Sequence, residues 1–397
     1  MNRKLVYLST GFLFANMGWG MAWPYLPNYM KLLGGGLLFV ALLSVLFNIT
    51  SAFGQTFWGR KSDVAGRRKP FVLFGIASSA LFFVLMGLIQ SAVAVLSLRA
   101  FQGFFVAAQT PAISALVSEL SPNVGRGFGL FNLFANVGFM LGNFAGGLVV
   151  KNYPIRYVFL LSSLPISISF LMFLFFHENA KKPMDFRMLF RYDRPGRMDV
   201  SFKSLKSYAK RNRNILIFSF STFVLMLSSG MVYSYLSLLI AMRFGEDYVG
   251  FYYGIDGLFS SFFIYPFGYI SDRIGSKIVI IFGSFLYLLT FAMYYVAVSL
   301  PLLMVTALVS GTKWAAYFNS INTYVSRMST SDERATALGV MNGGVAAGWV
   351  FGPLLGAYII SVLGLANMML VAMVPVVVSM IILIPFTKND RAPSSYQ

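Results

Sequence analysis

Gly59-Arg60-Lys61-Ser62-Asp63-Val64-Ala65-Gly66-Arg67-Arg68-Lys69 is the stretch that decides the fold. It separates an apolar run ending near Trp58 from another beginning near Phe71. A polar turn this short, between two segments long enough to cross a bilayer, has to reverse the chain at a membrane surface. Five of its residues are Lys or Arg, and short basic loops are retained on the cytoplasmic side. A weaker copy, Gly268-Tyr269-Ile270-Ser271-Asp272-Arg273-Ile274-Gly275-Ser276-Lys277, follows at an offset of 209. Gly59, Asp63 and Gly66 fall on Gly268, Asp272 and Gly275.

Composition agrees with a membrane location. The chain has 397 residues, 57% of them hydrophobic and 11% charged, against roughly a quarter charged in soluble domains. Most stretches between charge clusters reach about 20 apolar residues, the length of a spanning helix. The alternation of a β-barrel strand is missing. A net charge of +18 reads as retention of Lys and Arg in cytoplasmic loops, with no nucleic-acid partner. With no cysteine and a single histidine, His177, disulfides, thiolate chemistry and a metal centre are not expected, and no cofactor is called for. Arg3 and Lys4 lead into a run too long for a signal peptide, so the first span is expected to stay.

Twelve spans are expected, near 5–30, 37–58, 71–90, 92–118, 127–150, 157–177, 214–241, 249–270, 278–298, 301–327, 335–360 and 364–386. They form an N-terminal six-helix bundle over 1–177 and a C-terminal one over 214–397. A basic linker, 178–213, lies between them, with a short surface helix possible over Ser201 to Lys210. With both termini inside, 25 Lys and Arg fall on the cytoplasmic side and four outside: Lys31, Lys151, Arg156 and Arg243. Arg99 and Lys313 lie within spans.

The halves are copies. Gly20-Met21-Ala22-Trp23-Pro24-Tyr25-Leu26-Pro27 matches Gly230-Met231-Val232-Tyr233-Ser234-Tyr235-Leu236-Ser237 at an offset of 210. Gly129, Gly138, Gly142 and Gly146 match Gly339, Gly348, Gly352 and Gly356 at the same offset. Six spans per unit make the repeats parallel, related by an axis along the membrane normal.

These features resemble the major facilitator superfamily of secondary transporters, itself a standing example of parallel repeats. The turn matches the signature G-x-L-x-D-R-x-G-R-(R/K)-x at Gly59, Asp63, Gly66, Arg67 and Arg68, and departs from it at Lys61 and Val64. Arg99-Ala100-Phe101-Gln102-Gly103 is similar to an R-x-x-Q-G motif whose arginine is linked to proton coupling. Span five, with Gly138, Gly142, Gly146 and Gly147, is similar to the motif of drug:proton antiporters, with Asn143 in place of its proline. Span eleven keeps Gly352-Pro353.

From these readings come candidate sites. Asp63, held by Arg67 and Arg68, and its counterpart beside Arg273 would form a cytoplasmic latch. The resemblance implies span eleven as the partner of the first turn. The glycine faces of spans five and eleven are expected to pack against the opposite half as a hinge surface, with Pro353 loosening its helix. Ionisable groups inside a membrane are functional candidates by default. Asp256 is the candidate proton carrier, paired with Lys313 or Arg99; a static ion pair and direct substrate contact are the alternatives. The resemblance implies a cavity lined by spans one, four, seven and ten. Candidate substrate contacts there are Asn16, Trp19, Tyr25, Gln102, Tyr233, Tyr235, Trp314 and Tyr317.

The expected protein is a monomeric, multi-pass transporter in a prokaryotic plasma membrane, exchanging amphipathic compounds for protons. A proton-coupled importer or facilitator of a small polar or anionic solute is the first alternative, and a sensor that binds without translocating is the second. No cluster of nucleophile, base and orienting group suggests an enzyme.

Overall fold

The computed structural model describes residues 3–121, 124–178, 212–330 and 333–390. The expected basic linker falls almost wholly on 179–211, outside the described residues.

The protein is an all-helical polytopic membrane protein with twelve spans. Spans two, three, five and six are single helices: Leu37–Ala65, Lys69–Leu88, Val124–Asn152 and Arg156–Phe175. So are spans eight to eleven: Asp247–Ile274, Ser276–Val296, Leu300–Met328 and Arg334–Leu363. A 20-residue helix is about 30 Å long, enough to cross the hydrocarbon. Among the described residues, nine spans are long and apolar enough to be recognised on those grounds alone. Spans one, eight and ten are more polar, and they hold Asn16, Asp256 and Lys313. Several hydroxyls in the spans return to their own backbone, as Ser79 does to Gly75 and Thr290 to Leu286, while Ser221 bonds Ser379 of another span.

Four spans are broken. Span one is a helix Arg3–Ala22, a 3-10 turn Trp23–Tyr25 and a helix Leu26–Leu32. Span seven ends its first helix at Tyr233 and restarts at Leu236, 210 residues after the restart at Leu26. The repeat recognised in the sequence is therefore a repeat of the break. Pro24 and Pro27 are absent from the second copy, so proline is not its common cause. Span four breaks between Val106 and Gln109, and span twelve between Val371 and Met373.

The chain divides into two compact units. One holds spans one to six together with Ser234–Leu258, and the other holds the rest of the C-terminal half. In the first unit, span one packs on spans five and six, span three on span six, and span two on span four. In the second, span seven packs on spans eleven and twelve, and span nine on spans ten and twelve.

Candidate functional site

The basic turn is built by one backbone conformation. Gly66 ends span two at φ +62°, and Gly275 opens span nine at φ +97°. A side chain is disfavoured at both, which explains glycine in each copy. Arg68 donates to Asp63 at 2.6 Å and to the buried Ser62 hydroxyl at 3.0 Å, and Glu119 of span four lies 3.7 Å from its Nε. Asp272 is held differently. Its partner is Arg327, from the end of span ten, at 2.7 Å, while Arg273 lies over the ring of Tyr269. Gly59 and Gly268 meet nothing closer than ordinary contact.

Two carboxylates that sequence reasoning passed over anchor these turns. Glu178 accepts from the backbone N–H of Arg68 and Lys69, at 2.6 and 3.1 Å. Asp390 accepts from those of Ser276 and Lys277, at 2.9 and 3.0 Å, and lies 3.5 Å from Arg327. Each satisfies orphan donors at a helix start, where the helix dipole also favours a negative charge. The following lysines repeat as well, Lys69 donating to Leu174 O and Lys277 to Ile384 O and Thr387 O. The only signal in the sequence was an acidic residue just after spans six and twelve.

The glycine ladder packs within its own six-span group, contrary to the expectation that it faces the other half. A methyl on Gly138, Gly142 or Gly146 would meet the backbone oxygens of Leu13, Met17 and Met21 in span one, at 2.1, 2.0 and 2.8 Å. Gly348 and Gly352 press likewise on Met226 and Leu227 of span seven, and Pro353 lies against Gly230. Gly147, one residue round the helix, behaves differently. It faces Asp247 and Gly250 at the start of span eight. Asn143, the departure from the antiporter motif, is fully buried with its Nδ2 3.5 Å from Tyr253 O, also in span eight.

Tyr25 and Tyr235, expected to line a cavity, instead clasp the chain at the end opposite the basic turn. Both are fully buried. The Tyr25 hydroxyl accepts from the N–H of Gly250 at 2.9 Å, joining span one to span eight. The Tyr235 hydroxyl donates to Leu37 O at 3.2 Å, joining span seven to span two. The tyrosines are 210 residues apart, and each reaches the first turns of the next span in the other half's sequence. Ser44 and Ser234 lie 3.4 Å apart beside them, and Trp23 meets Tyr253 edge-on at 5.7 Å. Nearby, in the turn between spans seven and eight, burial raises the Glu246 carboxyl above its ordinary range.

The cations inside spans sit in aromatic pockets. Gly103 lets span four approach the Phe47 backbone of span two, which brings the buried Arg99 guanidinium 3.9 Å from the Phe47 ring and 5.6 Å from Trp19. Its hydrogen-bond partner is Gln102. Among the described residues no carboxylate is within ion-pair reach of Arg99, so the expected Asp256–Arg99 pair is not formed here. Lys313 is fully buried and donates to Tyr233 at 2.6 Å and to Ser310 at 3.1 Å. Tyr287 and Phe291 of span nine surround its ammonium at 4.7 and 5.6 Å. Cation–π attraction of this kind offsets part of the desolvation of a buried charge. Asp256 is half-buried in span eight, one turn beyond Tyr253. Of the remaining candidates, Asn16 bonds its own helix at Phe12 O, Trp314 stacks on Phe318, and Tyr317 is buried edge-on to Tyr287.

The sequence matches the Major Facilitator Superfamily over residues 8–255 and 218–397. The chain belongs to the major facilitator superfamily. Among superfamily members, an uncharacterised MFS-type transporter of Methanocaldococcus jannaschii is 28% identical over 342 residues, covering 85% of this chain and 83% of that protein. The multidrug resistance protein MdtG of Escherichia coli is 26% identical over 378 residues, covering 90% and 88%. Of solved structures, a variant of the nucleoside transporter NupG superposes with a TM-score of 0.80 at 14% identity, covering 97% of this chain and 100% of that one. The human organic anion transporter MFSD10 gives 0.63 at 19% identity, covering 96% and 99%. Likeness at that identity establishes the superfamily fold and nothing finer.

Proposed function

We propose that this superfamily member is a proton-coupled secondary transporter that exports amphipathic small molecules by alternating access. The observation that carries the reading is the paired tyrosine clasp. Two buried hydroxyls bond backbone groups of facing spans, and such contacts can be made and broken as a gate without disturbing either helix. On this reading the clasped end faces outward. The basic turns and both termini are cytoplasmic, and the protein works as a monomer in the plasma membrane. The turns act as latches when the cytoplasmic side closes, with Asp63 against the N-terminal end of span eleven.

Export is supported by the glycine pattern of span five and by the name of the MdtG relative. Proton coupling is supported by ionisable groups kept within spans at a cost of roughly 2.5–3.5 kcal/mol each. Asp256 is the proposed proton carrier, with Lys313 and Arg99 as fixed cations that respond to its charge. Trp19, Gln102, Tyr233, Trp314 and Tyr317 are the proposed substrate contacts.

Import of a small anionic solute is a second reading, favoured by two buried cations set against one carboxylate. Flux in proteoliposomes under an imposed pH gradient, with cationic, neutral and anionic compounds, separates the two. Export predicts movement of amphipathic cations against the proton gradient. Import predicts movement of anions with it.

A further inference from the structure

A pocket of about 480 Å3 opens at the clasped end of the first unit, where three chain junctions meet. Tyr29, Leu32 and Leu33 come from the end of span one, Gln90 from the turn before span four, and Ile155 and Arg156 from the turn before span six. The walls are fixed. The buried Tyr29 donates to Ile89 O at 3.0 Å, and its ring packs 4.8 Å from that of Phe159. The backbone N–H groups of Leu33, Gly34 and Gly35 bond back to Tyr29, Lys31 and Met30, so the end of span one closes on itself.

The lining combines polar groups, Gln90 and Arg156, with apolar ones, Leu32, Leu33 and Ile155. Arg156 is exposed and heads the 20-residue helix of span six, so a guanidinium and the positive end of a helix dipole coincide. Among the described residues, the side chains of Arg156 and Gln90 make no hydrogen bond or ion pair. The guanidinium lies 5.2 Å from the Tyr157 ring. Leu32 of the lining and Leu88, two residues before Gln90, are 66% and 63% exposed at the ends of spans one and three. The rings of Tyr153 and Tyr157, which flank Pro154, Ile155 and Arg156 in sequence, pair at 6.0 Å, as aromatic residues do at a membrane–water boundary. The pocket thus lies at the level where headgroups meet acyl chains.

We propose that it holds the headgroup of an anionic glycerophospholipid. The phosphodiester lies against Arg156 and Gln90, and the acyl chains run along Leu32 and Leu88. The planar fork of arginine suits two phosphate oxygens. Lys31 and Lys151, exposed at the same end, disfavour a headgroup that carries its own cation. This inference does not depend on the direction or coupling of transport.

The test is native mass spectrometry of the full-length protein in detergent. It is titrated with phosphatidylglycerol, with phosphatidylcholine and with soluble glycerol 3-phosphate as competitor. Phosphatidylglycerol is expected to bind preferentially, unaffected by glycerol 3-phosphate at equal concentration. Arg156→Gln is expected to lose roughly tenfold of that affinity, the worth of a charge-assisted hydrogen bond. Arg3→Gln, at the far end of span one, keeps it. Leu33→Trp, which fills the pocket without touching the charge, provides a second variant should Arg156→Gln fold poorly, and it also lowers binding. Equal binding of the two lipids, unchanged preference in both pocket variants, or full competition by glycerol 3-phosphate overturns the proposal.

Discussion

The hydroxyl of Tyr25 accepts a hydrogen bond from the backbone N–H of Gly250 at 2.9 Å, at the point where spans one, five and eight converge. A methyl on Gly250 would lie 2.4 Å from both Asn143 O and Gly147 N. The two observations describe one joint: a close backbone crossing that needs glycine, sealed by a tyrosine.

Tyr25→Phe keeps the ring and removes the acceptor. The buried Gly250 N–H then loses its partner, at a cost of about 1–3 kcal/mol to the closed joint. A shift of about 5- to 150-fold toward the open form is expected. Because the chain has no cysteine, a single cysteine placed at Ser44 or Ser234 reports this directly. Its labelling rate by a membrane-impermeant thiol reagent should rise in the Tyr25→Phe background.

Gly250→Ala is expected to be more severe. Helix propensity favours alanine by about 1 kcal/mol, so the helix of span eight itself should still form. Transport should nonetheless be lost, because the closed joint has no room for the methyl. A fully active Gly250→Ala protein would mean that spans five and eight do not need to meet this closely during the cycle.

The anchoring carboxylates should matter more to stability than the exposed members of the basic turns. Asp63 and Asp272 have side chains 71% and 69% exposed, and surface pairs contribute about 0–1 kcal/mol. Asp390 is 1% exposed and bonds two backbone N–H groups. Asp390→Ala should therefore cost about 1–3 kcal/mol, and Asp63→Ala at most 1. Thermal unfolding in detergent ranks them, and equal losses would refute the distinction.

Partial burial of Glu246 gives the clasped end a pH dependence whose sign can be worked out. Its carboxyl is raised above the ordinary 4.5 by burial, so the folded state binds this proton more tightly than the unfolded chain does. Its effect on stability is unfavourable above the raised value, and it disappears as pH falls through that value toward 4.5. Melting temperatures across that window should therefore improve more on acidification for the parent than for Glu246→Gln. Parallel curves would remove Glu246 from consideration.

Much of this architecture was legible in the sequence because membrane constraints act locally. Span lengths, the basic turns and the offset of 210 need only composition and order. The matched stretches Trp23–Leu26 and Tyr233–Leu236 are breaks in spans that were expected to be continuous. What stayed hidden was the identity of partners. The spacing of Gly138, Gly142 and Gly146 announces a bare helix face but not that span one covers it. The hydroxyls of Tyr25 and Tyr235 looked like cavity groups, because a polar tip on a buried ring fits either role until its acceptor or donor is seen. Glu178 and Asp390 lie about 110 residues from the helix starts they cap. No local pattern links residues that far apart.

The most direct test of proton-coupled export is substrate flux in proteoliposomes with an imposed pH gradient, comparing the parent with Asp256→Asn. Uphill movement of an amphipathic cation driven by the gradient, abolished in Asp256→Asn while substrate counterflow persists, is the predicted result. Gradient-driven movement of equal rate in both proteins would contradict it.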